Sequence, residues 1–149
     1  MEFERVSNVI LDGRNLSVKE LVDLYRSAHC FVFATRGEGF GLTLAEAMRT
    51  GLPCIATACT GVTDFFDERV GYEIGYSMGE AEVRFVGDGR IEKTQVAFPN
   101  IVQLIEKMIA VYGDYRSALK RGRRASERIS SKFTWQNSAR KLVEIIEGN

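Results

Sequence analysis

Histidine is nearly absent from the chain, with His29 alone among 149 residues, and the cysteines Cys30, Cys54 and Cys59 show no CxxC spacing. No cluster of His, Cys and Asp has metal-ligand spacing, so no metal site is expected. An odd number of cysteines, with Cys30 and Cys54 in apolar runs, fits reduced structural thiols better than a disulfide framework. Net charge is missing as well: 20 Lys and Arg balance 20 Asp and Glu, so bulk electrostatics favour neither nucleic acid nor an acidic membrane. The dense basic run "KRGRR" with Arg128 reads as the solvated face of a helix. His29 ends a predicted helix, where a cation is favourable. No apolar run approaches bilayer length, and the opening "MEFERVSN" is charged without the apolar core of a secretory signal. A cytoplasmic protein is expected.

What is present is an alternation of short apolar runs with amphipathic segments, in a chain long enough for one domain with a real core. "NVIL" (8–11) reads as a buried strand that Asp12-Gly13 ends. Ser17 is placed to cap the next helix, with Glu20 completing a capping box. "CFVFAT" (30–35) is a second strand, Leu42 to Thr50 a helix closed by Gly51, and "PCIAT" (53–57) a third strand. Strand, helix, strand, helix, strand argues for a parallel sheet in an α/β layer fold. Further on, "AEVRFV" and "IEKTQVAF" flank Gly87-Asp88-Gly89-Arg90 as an added β-hairpin. After Pro99 the pattern is helical, over roughly 100–112, 114–131 and 134–147, with Gly113 separating the first two and Thr134 capping the last.

The stretch that invites chemistry is "EGFGLTLAEAMRTG" (38–51), placed where a strand ends and a helix begins. In open α/β sheets ligands bind at that carboxyl edge. A helix N-terminus offers unpaired N–H groups and a partial positive charge, which suit phosphate. Gly39 and Gly41 remove side chains from the approach, while Glu38 before the helix and Glu46 in its second turn are placed to accept hydroxyl donors. Phosphates near the amides and polyol groups on the carboxylates are the parts of a sugar nucleotide, in that order. On the residues alone, a tight turn with a solvated helix remains the competing account.

"EGFGLTLAEAMRTGLPCIAT" closely resembles the donor-site motif of family-4 glycosyltransferases of the GT-B fold, two glutamates separated by seven residues. The likeness extends to "NVILDGRNLSVKELVDLYRSAHCFVFAT" before the motif and to "KFTWQNSARKL", which is similar to the family's closing aromatic-Trp helix. "TGVTDFF" stands where the family usually has a Gly-Gly-x-Pro-Glu loop, with Thr63-Asp64 in place of Pro-Glu. The resemblance implies a Rossmann-like parallel sheet flanked by helices, forming a single domain, the C-terminal donor domain of a GT-B enzyme. It implies transfer of a sugar from a nucleoside-diphosphate sugar to an acceptor hydroxyl, with retention and without a metal or other cofactor. Glu38 would accept bonds from the sugar hydroxyls as the catalytic-site carboxylate. Amides of Gly39, Phe40 and Gly41 would line the sugar, those of Leu42 and Thr43 the diphosphate, and Glu46 would hold the ribose. The loop carrying Arg14 and Asn15 would edge the nucleobase.

Nothing before "NVIL" matches the Arg and Lys that the family uses on the diphosphate, and the acceptor domain has no counterpart among these residues. The chain is therefore expected to be an incomplete GT-B C-terminal domain, lacking its first strand and helix and inactive alone. In the full enzyme it would work in the cytoplasm or at the inner membrane surface. Such a domain should expose apolar surface and self-associate through the open sheet or the edge of the 81–97 hairpin. A sugar-nucleotide epimerase and a non-catalytic nucleotide-sugar-binding or interaction module are the rival readings.

Overall fold

The computed structural model describes residues 8–84, 87 and 89–148; the charged opening stretch and hairpin residues 85, 86 and 88 lie outside the described residues. The elements run α1 (Val18–Ser27), β1 (Phe31–Phe33), α2 (Leu42–Arg49), β2 (Cys54–Thr57), a 3-10 turn (Thr60–Asp64), β3 (Tyr72–Ile74), β4 (Tyr76–Arg84), β5 (Ile91–Pro99), α3 (Ile101–Gly113), α4 (Tyr115–Lys132) and α5 (Trp135–Glu147). Local signals set most of the boundaries. Ser17 accepts from the Glu20 N–H, and Glu20 takes the Ser17 N–H at 2.8 Å, completing the capping box. Gly51 sits at φ +83°, the left-handed residue that stops α2. Asn100, Asp114 and Thr134 cap α3, α4 and α5. Helix α1 already ends at Ser27, so His29 lies just beyond the helix instead of closing it.

The sheet is parallel in the order β1-β2-β3, with Val32 opposite Ile55 and Ala56 opposite Glu73. Its membership differs from the sequence expectation. The 8–11 run forms no strand, and Val9, Ile10 and Leu11 are 61%, 91% and 77% exposed. An apolar run becomes a strand only by pairing with a free edge, and this one pairs with none. The third strand is instead Tyr72–Ile74, three residues whose pairing is supplied by β2.

Strand β2 is buried along its whole length, and its alternation divides the core. Cys54 and Ala56 pack with Leu44, Met48, Phe65 and Ile129, while Ile55 packs with Ile74, Val111 and Ala118. The cysteines are free thiols; burial pushes Cys30 up to about 11 and raises Cys54 and Cys59 as well, which keeps them protonated. Helix α4 comes close to the turn after α2 because Gly122 has no side chain: a Cβ there would collide with the Gly51 carbonyl.

The basic run on α4 is solvated at Lys120, Arg123 and Arg124, which are exposed, but Arg121 and Arg128 turn onto the neighbouring connection. Arg121 donates to the Gly71 carbonyl at 2.6 Å and pairs with Glu68 at 2.7 Å; Arg128 donates to the Phe65 carbonyl at 3.1 Å and pairs with Asp67 at 3.0 Å. Arg124 reaches the Arg69 carbonyl at 3.2 Å. The 65–71 connection runs between the 3-10 turn and β3; the Asp67 carbonyl takes the Val70 and Gly71 N–H groups, and the arginines supply donors to those of Phe65, Glu68, Arg69 and Gly71.

The hairpin is longer than expected, β4 pairing antiparallel with β5 from Tyr76–Pro99 to Arg84–Ile91 as a sheet of its own. Apolar surface is exposed, as anticipated: Ile101, Val102, Ile105, Met108, Ile109 and Tyr112 form a stripe along α3, and α5 buries no residue. Among the described residues no helix is long and apolar enough to cross a membrane.

The arginine contacts give a pH dependence. Burial pushes Asp67 and Glu68 upward, but hydrogen bonds from Arg69 and Arg128 to Asp67, and from Lys107 and Arg121 to Glu68, outweigh it and lower both carboxyls. A carboxyl lowered in the folded state contributes stability that is present above its unfolded value, ordinarily 3.8 for Asp and 4.5 for Glu, and is lost as pH falls through the folded one. Thermal melts should hold steady down to about pH 5 and then decline. The Asp67→Asn/Glu68→Gln double variant should show a shallower acid decline; an equal slope in both proteins would show that this cluster does not set acid stability.

Candidate functional site

The junction between β1 and α2 is built around Gly41. It caps α2 at φ +91° and ψ +52° with no side-chain hydrogen bond, so the first N–H groups of the helix receive no acceptor from the cap. The side-chain-free positions serve different ends. A Cβ on Gly41 would meet Val62 Cγ2 at 3.2 Å and the rings of Phe65 and Phe33 at 3.6 and 3.7 Å, so this glycine faces the core. A Cβ on Gly39 meets nothing within 4 Å, so Gly39 is the one that borders open space. Between them Phe40 turns its ring inward, 4.8 Å from Phe65 and 6.1 Å from Phe133, and anchors the loop. Leu42 and Thr43 are exposed at the helix start.

Each glutamate is held by a neutral hydroxyl. Tyr25 of α1 donates to Glu46 Oε2 at 3.2 Å and lies 3.4 Å from the Thr43 carbonyl. Burial, followed by the charge of Glu46, raises the Tyr25 hydroxyl to about 12, so it remains a donor. The Thr35 hydroxyl lies 3.2 Å from both Glu38 Oε1 and the Gly37 carbonyl, so its single O–H serves either acceptor. The ion pairs among the described residues include neither glutamate. Both carboxylates therefore keep acceptor capacity for further O–H donors.

The surroundings differ for the two. Glu46 lines a cavity of about 790 Å³ together with Tyr25, Phe40, Leu42, Arg49 and Trp135, a size within the usual small-molecule range of about 300–1,000 Å³. Glu38 does not line it. Its backbone is bound instead by the loop after β2, its N–H donating to Thr60 Oγ1 at 2.9 Å and its carbonyl accepting from the Gly61 N–H at 3.2 Å. The hairpin base adjoins the loop between β1 and α2: Ala97 donates to the Arg36 carbonyl at 2.8 Å, and the Arg36 guanidinium lies 4.9 Å from the Phe98 ring centre. Arg14 and Asn15 are exposed in the loop before α1 and do not line the cavity; Arg14 folds back on Asp12 at 2.7 Å. Asp64 is exposed at the end of the 3-10 turn. Sequence reasoning missed Tyr25, Thr35 and Thr60 as partners of the glutamates. Tyr25 reads as one more apolar position on α1, and neither threonine stands out in its run.

A Rossmann-like parallel sheet with an uncapped helix start and two acceptor carboxylates at its carboxyl edge is the layout of a ligand-binding α/β domain. The model of the family described as Family 4 Glycosyltransferase in conflict systems (GT4-conflict) matches residues 11–142, and the chain belongs to that family. Among similar proteins, the lipopolysaccharide core biosynthesis mannosyltransferase LpsB of Rhizobium meliloti is 49% identical over 57 residues, 36% of this chain and 16% of its own length. Mannosylfructose-phosphate synthase of Agrobacterium fabrum is 27% identical over 150 aligned positions, 97% of this chain and 28% of its own length. The serotype-specific mannosyltransferase WbdA of Escherichia coli is 48% identical over 42 residues, 28% of this chain and 5% of its own length. The chain thus spans between 5% and 28% of these relatives.

The geometry at Gly41 makes a stability test. Gly41→Ala should lower the unfolding free energy by roughly 1–2 kcal/mol through its positive φ, while Gly39→Ala should stay within about 0.5 kcal/mol. Denaturant titration of both variants checks this; equal effects would refute the division between a core-facing and an open glycine.

Proposed function

We propose that this chain is the donor-binding part of a glycosyltransferase that moves a sugar from a nucleoside diphosphate to an acceptor hydroxyl, with retention. The observation that carries the proposal is the pair Glu38 and Glu46, each within reach of one neutral hydroxyl and neither ion-paired among the described residues, on either side of an uncapped helix start. In this reading Glu46 accepts two adjacent ribose hydroxyls and Glu38 the hydroxyls of the sugar ring. The N–H groups of Leu42 and Thr43 receive the diphosphate, and those of Gly39, Phe40 and Gly41 border the sugar. As the glycosidic bond breaks, negative charge grows on the leaving diphosphate, and preorganised N–H donors stabilise it without reorganising. Arg14 and Asn15 edge the base. No metal enters the scheme.

The mannosyl activities in the names of the relatives support a hexose donor, with mannose the first to test. The small share of those relatives that the chain spans supports an acceptor-binding half outside these residues, so that the chain alone binds donor without turning it over. Self-association over the exposed α3 and α5 stripes would fit the same picture.

Calorimetry with UDP, GDP, UDP-glucose and GDP-mannose tests the assignment. Glu46→Ala should weaken bare and sugar-bearing nucleotides alike, by roughly 1–3 kcal/mol. Glu38→Ala should spare the bare nucleotide and weaken only the sugar conjugate. Equal losses of bare nucleotide in the two variants would refute the separate ribose and sugar ends. No loss in either variant, with binding otherwise measurable, would leave a turn and a solvated helix as the whole account. An epimerised sugar nucleotide as product would replace transfer by epimerisation.

A further inference from the structure

Thr60 is the only non-glycine at positive φ among the described residues, at +51°. A β-branched residue rarely adopts that region, and a backbone outlier held at a ligand edge is a reason to ask what it secures. What it secures is Glu38. The Thr60 hydroxyl accepts the Glu38 N–H at 2.9 Å, and the neighbouring Gly61 N–H donates to the Glu38 carbonyl at 3.2 Å. Both backbone polar groups of Glu38 are thus bound by the loop after β2, across 22 residues of sequence. The two loops touch closely enough that a Cβ on Gly61 would collide with the Gly39 carbonyl. The strained residue is itself braced, since Thr63 Oγ1 donates to the Thr60 carbonyl at 2.8 Å. The loop after β2 thus holds Glu38 at both its amide and its carbonyl, while Thr35 Oγ1 stands within reach of its carboxylate.

We propose that Thr60 is a positioning residue: held left-handed, it clamps the Glu38 backbone so that the carboxylate is presented at a fixed place for the donor sugar. The proposal rests on the reading of Glu38 as the sugar-facing carboxylate. A glycine would satisfy the backbone conformation at position 60 but provide no hydroxyl, whereas serine keeps the hydroxyl without the branch. The clamp therefore predicts opposite behaviour for Thr60→Gly and Thr60→Ser, which a merely structural role for the turn would not.

The test has two arms on the full chain. Amide hydrogen exchange by NMR, without ligand, should show the Glu38 N–H losing roughly tenfold or more of its protection in Thr60→Gly and keeping it in Thr60→Ser. Calorimetry should show the affinity ratio of GDP-mannose to GDP, or of UDP-glucose to UDP, falling roughly three- to tenfold in Thr60→Gly and recovering in Thr60→Ser, with the bare nucleotide unchanged. Unchanged Glu38 protection in Thr60→Gly would overturn the clamp, and loss of protection with an unchanged ratio would overturn its role in presenting the carboxylate. The parent reading fails separately, through an unchanged ratio in Glu38→Ala, and the exchange arm decides the clamp in that case too.

Discussion

Gly41 holds φ at +91°, and this one backbone state lets the chain leave β1, cross the carboxyl edge of the sheet and start α2 without a side-chain cap. Its consequences spread in two directions. Inward, the buried α-carbon fits against Val62, Phe65 and Phe33, and the Phe40 ring joins Phe65 and Phe133. Outward, the same turn exposes Leu42 and Thr43 at the positive end of the helix. Any side chain at position 41 would oppose both, since the conformation is costly for an L-residue and the Cβ would press on Val62. The packing of the core and the openness of the edge are thus two results of one turn.

The parts of the fold that were legible in the sequence are those fixed within a few residues of themselves. Ser17 with Glu20, Gly51 and Thr134 announce helix ends because capping needs only neighbours. Residues 8–11 and Tyr72–Ile74 show the opposite case. The first has the composition of a strand and no edge to pair with, and the second becomes a strand because β2 offers one. Composition tells only part of the story of "KRGRR" with Arg128: Lys120, Arg123 and Arg124 are exposed as a charged run suggests, but Arg121 and Arg128 also reach carbonyls of the 65–71 connection, and backbone acceptors leave no mark on the sequence. At the site, the two glutamates and the glycines are legible from their spacing. The hydroxyls that hold them, from Tyr25, Thr35 and Thr60, are not, because each comes from a residue type equally at home in core or turn.

The small sheet relies on helix α4 as much as on its own ladder. Three strands of three to four residues supply few hydrogen bonds, and the connection from the 3-10 turn to β3 adds only turn bonds such as those of Val70 and Gly71 to the Asp67 carbonyl. Helix α4 crosses this region with Ala118, Gly122 and Ala125 buried beneath it and the arginines reaching around it. Small residues bring the helix close, and close approach is what lets Arg121 and Arg128 reach carbonyls as well as carboxylates. Replacing those arginines by other polar residues would cost more than their charge, since the loop carbonyls would lose their donors.

The distribution of charge separates the carboxylates that hold the fold from those at the carboxyl edge. Where this protein needs a carboxylate for structure, at Asp67 and Glu68, it surrounds it with guanidinium and ammonium groups, and the carboxyl is saturated and lowered. At Glu38 and Glu46 it supplies a single hydroxyl each, enough to fix the rotamer and too little to fill the lone pairs. A carboxyl group held in this way keeps most of its acceptor sites open to further O–H donors. The backbone around Glu38 is tied by neutral groups, the Thr60 hydroxyl and the Gly61 amide, and the Phe40 ring anchors the turn, so the geometry of the edge is set without an ion pair to either glutamate among the described residues.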